Sequence, residues 1–275
     1  MRTPLIAANW KMHKTTAEAV QYGEQLLQQL KERRVTVVGE PLGPAEDGQA
    51  ASLARGVQVV VCPPFTALAA LGPVLRGTPV ALGAQNMHWE AAGAFTGEIA
   101  PGMLLDLGCR FVIVGHSERR QMGETDEQVH RKVQAALAAG LVPIVCVGET
   151  IDQRRAGRAE AVVTRQVRAA LAGVAAGDAA GIVIAYEPVW AIGTGEHATP
   201  QEANRVIALV RETVAELAGA TAAAAVRILY GGSVKPDNVG PFIAQPEIDG
   251  ALVGGASLDP YGFADIIQQA EGNGT

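Results

Sequence analysis

Cysteine is scarce in this 275-residue chain: three residues, Cys62, Cys109 and Cys146, odd in number and far apart. That excludes a disulfide framework, and no Cys or His spacing matches a metal site. Cys62 and Cys146 each close an apolar run, so they read as small buried strand residues in a reducing compartment. Positive charge is also short, with 22 Lys and Arg against 28 Asp and Glu and a net charge of −6. A phosphate backbone calls for a basic surface, so nucleic acid is excluded as the main partner. No apolar run approaches the roughly 18 residues of a membrane span. The start, Met1 to Lys11, carries too short an apolar core for a secretory leader. A cytoplasmic enzyme is the expectation.

What the chain has instead is aliphatic residue and glycine: 48% hydrophobic, 4% aromatic, 32 Gly and 15 Pro. Short, nearly continuous apolar runs fall at Leu5–Trp10, Val57–Cys62, Pro79–Ala84, Phe111–Val114, Leu141–Val147, Ile182–Tyr186, Val226–Tyr230 and Asp249–Val253. Strands of that kind are buried on both faces, the mark of parallel sheet. Helices are read from about 18–33 with Thr16 as cap, then 66–76, 126–139, 151–172, 236–244 and 259–270. Another opens at Thr199-Pro200, where Thr caps and Pro takes the first helical position. Eight β-then-α units in this length point to one closed α/β barrel, (β/α)8, spanning 1–275. An open doubly wound sheet competes with it. Gly39–Ser52, rich in Gly, Pro and acid, reads as a surface insertion between the first helix and the second strand. Ala218–Ala225 is Ala-rich and carries no decisive signal.

In a parallel barrel, chemistry gathers at the C-terminal ends of the strands. Asn9 and Lys11 follow the first strand, and Gly115-His116-Ser117-Glu118 the fourth. Glu187 stands at the tip of the sixth, followed by Pro188, which cannot continue a ladder, then Trp190 and a tip containing Gly193 and Gly195. Tyr230-Gly231-Gly232-Ser233 follows the seventh strand and Gly254-Gly255-Ala256-Ser257 the eighth. A strand-end carboxylate can take a proton next to a carbonyl. A His at a helix start is disfavoured as imidazolium by the helix dipole, and neutral it donates to a carbonyl or enediolate oxygen. Lys11 supplies fixed positive charge. The glycine pairs expose backbone N–H groups able to cradle a phosphate. Taken singly, each feature has an ordinary reading as a turn, a solvated charge or a structural histidine. Gly193 to Ala198 matches a dinucleotide Gly-x-Gly-x-x-Ala pattern, but a Rossmann turn leaves its strand directly and this one does not.

In order along the chain, Asn9-Trp10-Lys11-Met12, Gly83-Ala84-Gln85-Asn86, Gly93 to Glu98, Val114 to Arg120, Cys146 to Thr150, Ala185 to Gly195, Tyr230 to Val234 and Gly250 to Ser257 resemble the triosephosphate isomerase family. The resemblance runs from Pro4 to about Ile267 and implies a TIM barrel. It also implies interconversion of dihydroxyacetone phosphate and glyceraldehyde 3-phosphate through an enediolate, with no cofactor and no metal. Glu187 would be the base, His116 the neutral electrophile, and Lys11 and Asn9 the stabilisers of negative charge. Asn9, Lys11, Gly193, Ser233, Gly254 and Gly255 would hold substrate and phosphate. Pro188, Val189, Trp190, Ala191, Ile192, Gly193, Thr194 and Gly195 would form a lid, latched by Tyr230 and Ser233, with Glu118 beside Lys11. Segment 85–98 resembles the family's dimer arm, with Thr96 reaching the partner's site in a homodimer.

The chain departs from the family pattern at His13, usually Asn, and in a segment behind His116 that is one residue short. At the far hinge, Glu196-His197-Ala198 stands where many relatives have Lys-Thr-Ala. The insertion 39–52, on the barrel face away from catalysis, is expected to be neutral for activity. A silent phosphate-binding barrel is disfavoured by the intact Glu187, His116 and Lys11. Another barrel enzyme of a phosphorylated metabolite leaves the lid and the His-Ser-Glu segment unexplained.

Overall fold

The computed structural model describes residues 2–39, 56–191 and 198–273. The chain runs β1 (Leu5–Asn9), α1 (Thr16–Glu32), β2 (Gln58–Cys62), α2 (Phe65–Leu75), β3 (Ala81–Ala84), α3 (Pro101–Asp106), β4 (Cys109–Val114), α4 (Ser117–Gln121), α5 (Asp126–Ala139) and β5 (Val142–Val147). It continues α6 (Ile151–Arg155), α7 (Ala159–Ala170), α8 (Ala176–Ala179), β6 (Val183–Tyr186), α9 (Pro200–Ala225), β7 (Arg227–Tyr230), α10 (Val239–Ile243), β8 (Gly250–Val253) and α11 (Pro260–Asn273). Each strand pairs in parallel with the next, and β8 returns to β1 with Leu5 opposite Gly250. That last pairing closes the barrel and removes the open-sheet alternative.

The continuous apolar runs follow from this closure. Alternate strand residues, among them Leu5, Ala7, Phe111, Ile144, Ala185 and Leu229, fill the barrel interior. Their neighbours, such as Ile6, Ala8, Val112, Val145, Ile184 and Ile228, face the helices in a larger cluster. Neither face meets water, so neither needs polar residues. Inside the strands polar residues stand only near the two ends, Gln58, Arg110 and Arg227 at the starts and Asn9 at a tip, and the rim at the C-terminal tips carries the site.

Two local readings need correction, and further helix lies where the sequence carries no decisive signal. The cap of α1 is Thr15, not Thr16: its hydroxyl accepts from the Glu18 N–H while the Glu18 carboxylate reaches back, a full capping box. The helix expected over 151–172 is broken, because Gly157 takes a left-handed φ of 68° between α6 and α7. Ala218–Ala225 is helical, continuing α9 beyond a kink at Gly219 (φ 86°, ψ 163°). Helices α3 and α8 were not foreseen. Of the insertion, residues 40–52 lie outside the described residues.

Candidate active site

Glu187 leaves the end of β6 on a backbone held from both sides. Its N–H donates to the Val147 carbonyl at 2.7 Å, and Gly231 N–H donates to the Tyr186 carbonyl at 2.7 Å. Two missing side chains make room for it. A Cβ on Gly148 would lie 1.7 Å from the Glu187 carbonyl oxygen, and one on Gly231 would lie 2.9 Å from Glu187 Cγ. The residue is only 2% exposed. One carboxylate oxygen accepts from the Ser117 N–H at 2.9 Å, and the other lies 2.9 Å from His116 Nε2. The buried charge is thus matched by donors on both oxygens.

His116 caps α4, and its Nδ1 accepts the Glu118 N–H at 3.2 Å. A donor at Nδ1 leaves the single proton of a neutral ring on Nε2, the nitrogen that faces Glu187. A five-residue helix has little dipole, so this one N–H replaces the macrodipole inferred from sequence. Burial alone would lower the pKa of His116, but Glu187, through charge and hydrogen bond, and Glu118 outweigh it and raise the pKa above 6.5. Lys11 opposes that rise.

Lys11 sits in the left-handed region at φ 53°, uncommon for a residue with a side chain and characteristic of functional sites. The strain is held in place by its neighbours. Asn9 Oδ1 accepts the Lys11 N–H at 3.0 Å, and Gln85 Nε2 donates to the carbonyls of Lys11 and Cys62 at 2.9 Å each. Lys11 Nζ meets Glu118 Oε1 at 2.7 Å. Below it the indole of Trp10 packs edge-on to Tyr22 at 4.6 Å.

Asn9, Lys11, His116, Glu187, Ser233, Gly254 and Gly255 open onto one cavity of about 760 Å³. Seven residues spread over 246 positions of sequence converge there. Gly231 also lines it, but its N–H is spent on Tyr186 and cannot serve a phosphate, contrary to the reading of both glycine pairs as donors. Tyr230 does not line the cavity. Its ring stacks on Phe242 at 4.1 Å, and its hydroxyl, pushed up to about 12 by burial, faces the backbone of Ala198. Among the described residues no cluster of three His, Cys, Asp or Glu could hold a metal ion.

Pro188 follows Glu187, and Val189–Ala191 form one 3-10 turn. The residue that anchors it is Glu149, which has no role among the expectations from sequence. Fully buried at the end of β5, Glu149 accepts from Trp190 Nε1 at 2.8 Å and from the Tyr186 hydroxyl at 3.2 Å, and its carbonyl accepts from the Val189 N–H. The acid at a strand tip in Gly148-Glu149-Thr150 was the available signal. Ile192, Gly193, Thr194, Gly195, Glu196 and His197 lie outside the described residues. Thr96 is exposed in segment 85–98, where Phe95 packs on His88 at 4.3 Å. Beside it is a second cavity of about 350 Å³, lined by residues that include Thr96, Glu98, Arg119 and Met122.

The chain is similar to known proteins over nearly its whole length. The family model described as Triosephosphate isomerase matches residues 4–270. A protein of Symbiobacterium thermophilum named triosephosphate isomerase is 55% identical over 271 residues, covering 98% of each chain. One of Chloroflexus aurantiacus with the same name is 56% identical over 268 residues, 97% of this chain and 99% of its own. A third, of Roseiflexus sp., is 55% identical over 268 residues and 97% of both.

Proposed function

Since the chain belongs to the triosephosphate isomerase family, we propose that Glu187, His116, Lys11 and Asn9 perform its proton transfers. The reaction is the interconversion of dihydroxyacetone phosphate and glyceraldehyde 3-phosphate, an aldose–ketose isomerisation of glycolysis and gluconeogenesis. The barrel takes its common name from this family.

In the proposed sequence Glu187 leaves Ser117 and His116 and takes a proton from C1 of the ketose, leaving an enediolate with negative charge on O2. His116 donates its Nε2 proton to O2, recovers the proton from O1, and Glu187 returns its own to C2. Atoms and charge balance with protons alone. Once Glu187 turns to substrate, the main influence raising the pKa of His116 is withdrawn. Burial, Lys11 and the Glu118 N–H at Nδ1 then favour the neutral donor. Lys11 and Asn9 offset the oxyanion. Ser233, Gly254, Gly255 and Gly193 hold the phosphate, with Tyr230 and Ser233 latching the lid. Closure of 188–195, a motion for which this family is a standing example, excludes water so that the enediolate does not expel phosphate.

We propose one domain over the whole chain, a cytoplasmic location, and a homodimer through 85–98 that brings Thr96 to the partner's site. Among the described residues no helix is long and apolar enough to cross a membrane. The observation carrying the residue roles is the 2.9 Å contact of Glu187 with His116 Nε2 in a cavity shared with Lys11. A coupled assay on glyceraldehyde 3-phosphate tests them, with Glu187→Asp beside the unmodified protein. Withdrawing the carboxylate by about one bond length costs on the order of 10²-fold in kcat. A loss under threefold overturns the assignment of the base.

A further inference from the structure

Arg154, on α6, touches both flanks of the segment 192–197. Its guanidinium lies over the Trp190 ring, 4.3 Å from the centroid, at the entry. One terminal nitrogen is 3.7 Å from Glu149 Oε1, the same oxygen that accepts from Trp190 Nε1. The other is 3.1 Å from Glu202 Oε1 at the exit, where Glu202 closes the capping box with Thr199 at the start of α9. Its own base is fixed, because Thr150 and Gln153 form a capping box one turn earlier, immediately after Glu149. The Arg154 side chain is 32% exposed, unlike the solvated arginines of the outer helices.

An exposed ion pair with Glu202 alone would mean little. Three partners arranged around one planar group are different. A guanidinium can stack on an indole and aim two nitrogens at two carboxylates, a fork that an ammonium cannot imitate. We propose that Arg154 is a positioning residue that couples the entry of the active-site loop, at Trp190, to its exit, at Glu202. A change at one end is then felt at the other, and both ends move as one unit. This rests on the reading of 188–195 as the lid of the isomerase.

The test is a double-mutant cycle of Trp190→Phe and Glu202→Gln, measured as kcat/KM in the native background and again with Arg154→Met. Gln keeps the capping box, so the cycle probes the Arg154 contact and not the helix. In the native background the paired effect departs from the product of the single effects by about threefold or more. With Arg154→Met the product rule holds. An equal departure in both backgrounds overturns the proposal.

A second readout needs no activity. With 5-fluorotryptophan incorporated and Trp190 assigned by Trp190→Phe, Glu202→Gln shifts the Trp190 fluorine resonance in the native background and leaves it in place with Arg154→Met. A shift in both, or in neither, overturns the coupling. Should the unmodified protein fail to isomerise, the lid reading falls while the fluorine experiment still decides on Arg154. Arg154→Lys keeps the charge but not the fork, so it does not restore coupling. Arg154→Gln replaces Arg154→Met if the latter does not fold.

Discussion

At the residue scale the proposed mechanism makes the site a set of charges whose partners change during turnover. In the free protein His116 is held above its ordinary pKa by Glu187 at 2.9 Å, against the opposing effect of burial. Replacing Glu187 by Gln removes the charge and leaves the burial, so the titration midpoint of His116, followed by NMR at the imidazole carbon proton, moves down. An unmoved midpoint shows that the carboxylate is not what holds the proton. The same shift has a stability consequence with a definite sign. A His whose pKa is raised on folding contributes stability that is complete below 6.5 and is lost as pH rises through the raised value. Denaturant titrations across that window show the decline in the unmodified protein and less of it in Glu187→Gln.

At the scale of elements, glycines at strand ends are as much a part of the site as the charged groups. Gly148 directly follows β5, where a Cβ would strike the Glu187 carbonyl at 1.7 Å, a collision with backbone that no rotamer relieves. Gly148→Ala therefore displaces Glu187 or forces β5 and β6 apart. The expected cost is about 3 kcal/mol, read as a Tm lowered by roughly 6–12 °C, with kcat reduced on the order of 10²-fold. A variant with native Tm and kcat shows that the strand ends are not so tightly matched. This also explains what the sequence made legible. Strands end where apolar runs meet polar residues, so the eight tips, and with them Asn9, His116 and Glu187, could be placed from sequence to within one residue, β1 ending at Asn9 and not Trp10. Glu149 stands just past such a tip, but its role is not legible, because its partners Tyr186 and Trp190 are 37 and 41 positions away and only barrel closure joins them. The break at Gly157 hid inside a helical pattern, since one glycine is tolerated in many helices and only its φ reveals the turn. Gly231 was visible, but its room for Glu187 and its spent N–H follow from the β6–β7 register.

At the scale of the whole molecule, the exposed apolar side chains include several near segment 85–98 and the site. Phe95 in that segment, Met12 beside Lys11 (92% exposed) and Met122 behind α4 (75% exposed) are large side chains left in water. Met122 and Phe95 border the cavity of about 350 Å³, together with Thr96 and Arg119, whose Nε is buried without a hydrogen-bond partner. A second copy of the chain would cover the apolar groups. If the folded unit is a dimer, mass action makes its stability depend on protein concentration, by about 1.4 kcal/mol for each tenfold change. The Tm of the unmodified protein then rises steadily from micromolar to hundreds of micromolar. Thr96→Arg places a bulky cation at the tip of the arm. Sedimentation of this variant is expected to give monomers, its Tm to be independent of concentration, and its kcat/KM to fall on the order of 10²-fold, because in the proposed dimer the tip no longer reaches the partner's site. Monomers that keep native kcat/KM would show that each barrel is complete by itself. A Thr96→Arg dimer would place the interface elsewhere than on segment 85–98.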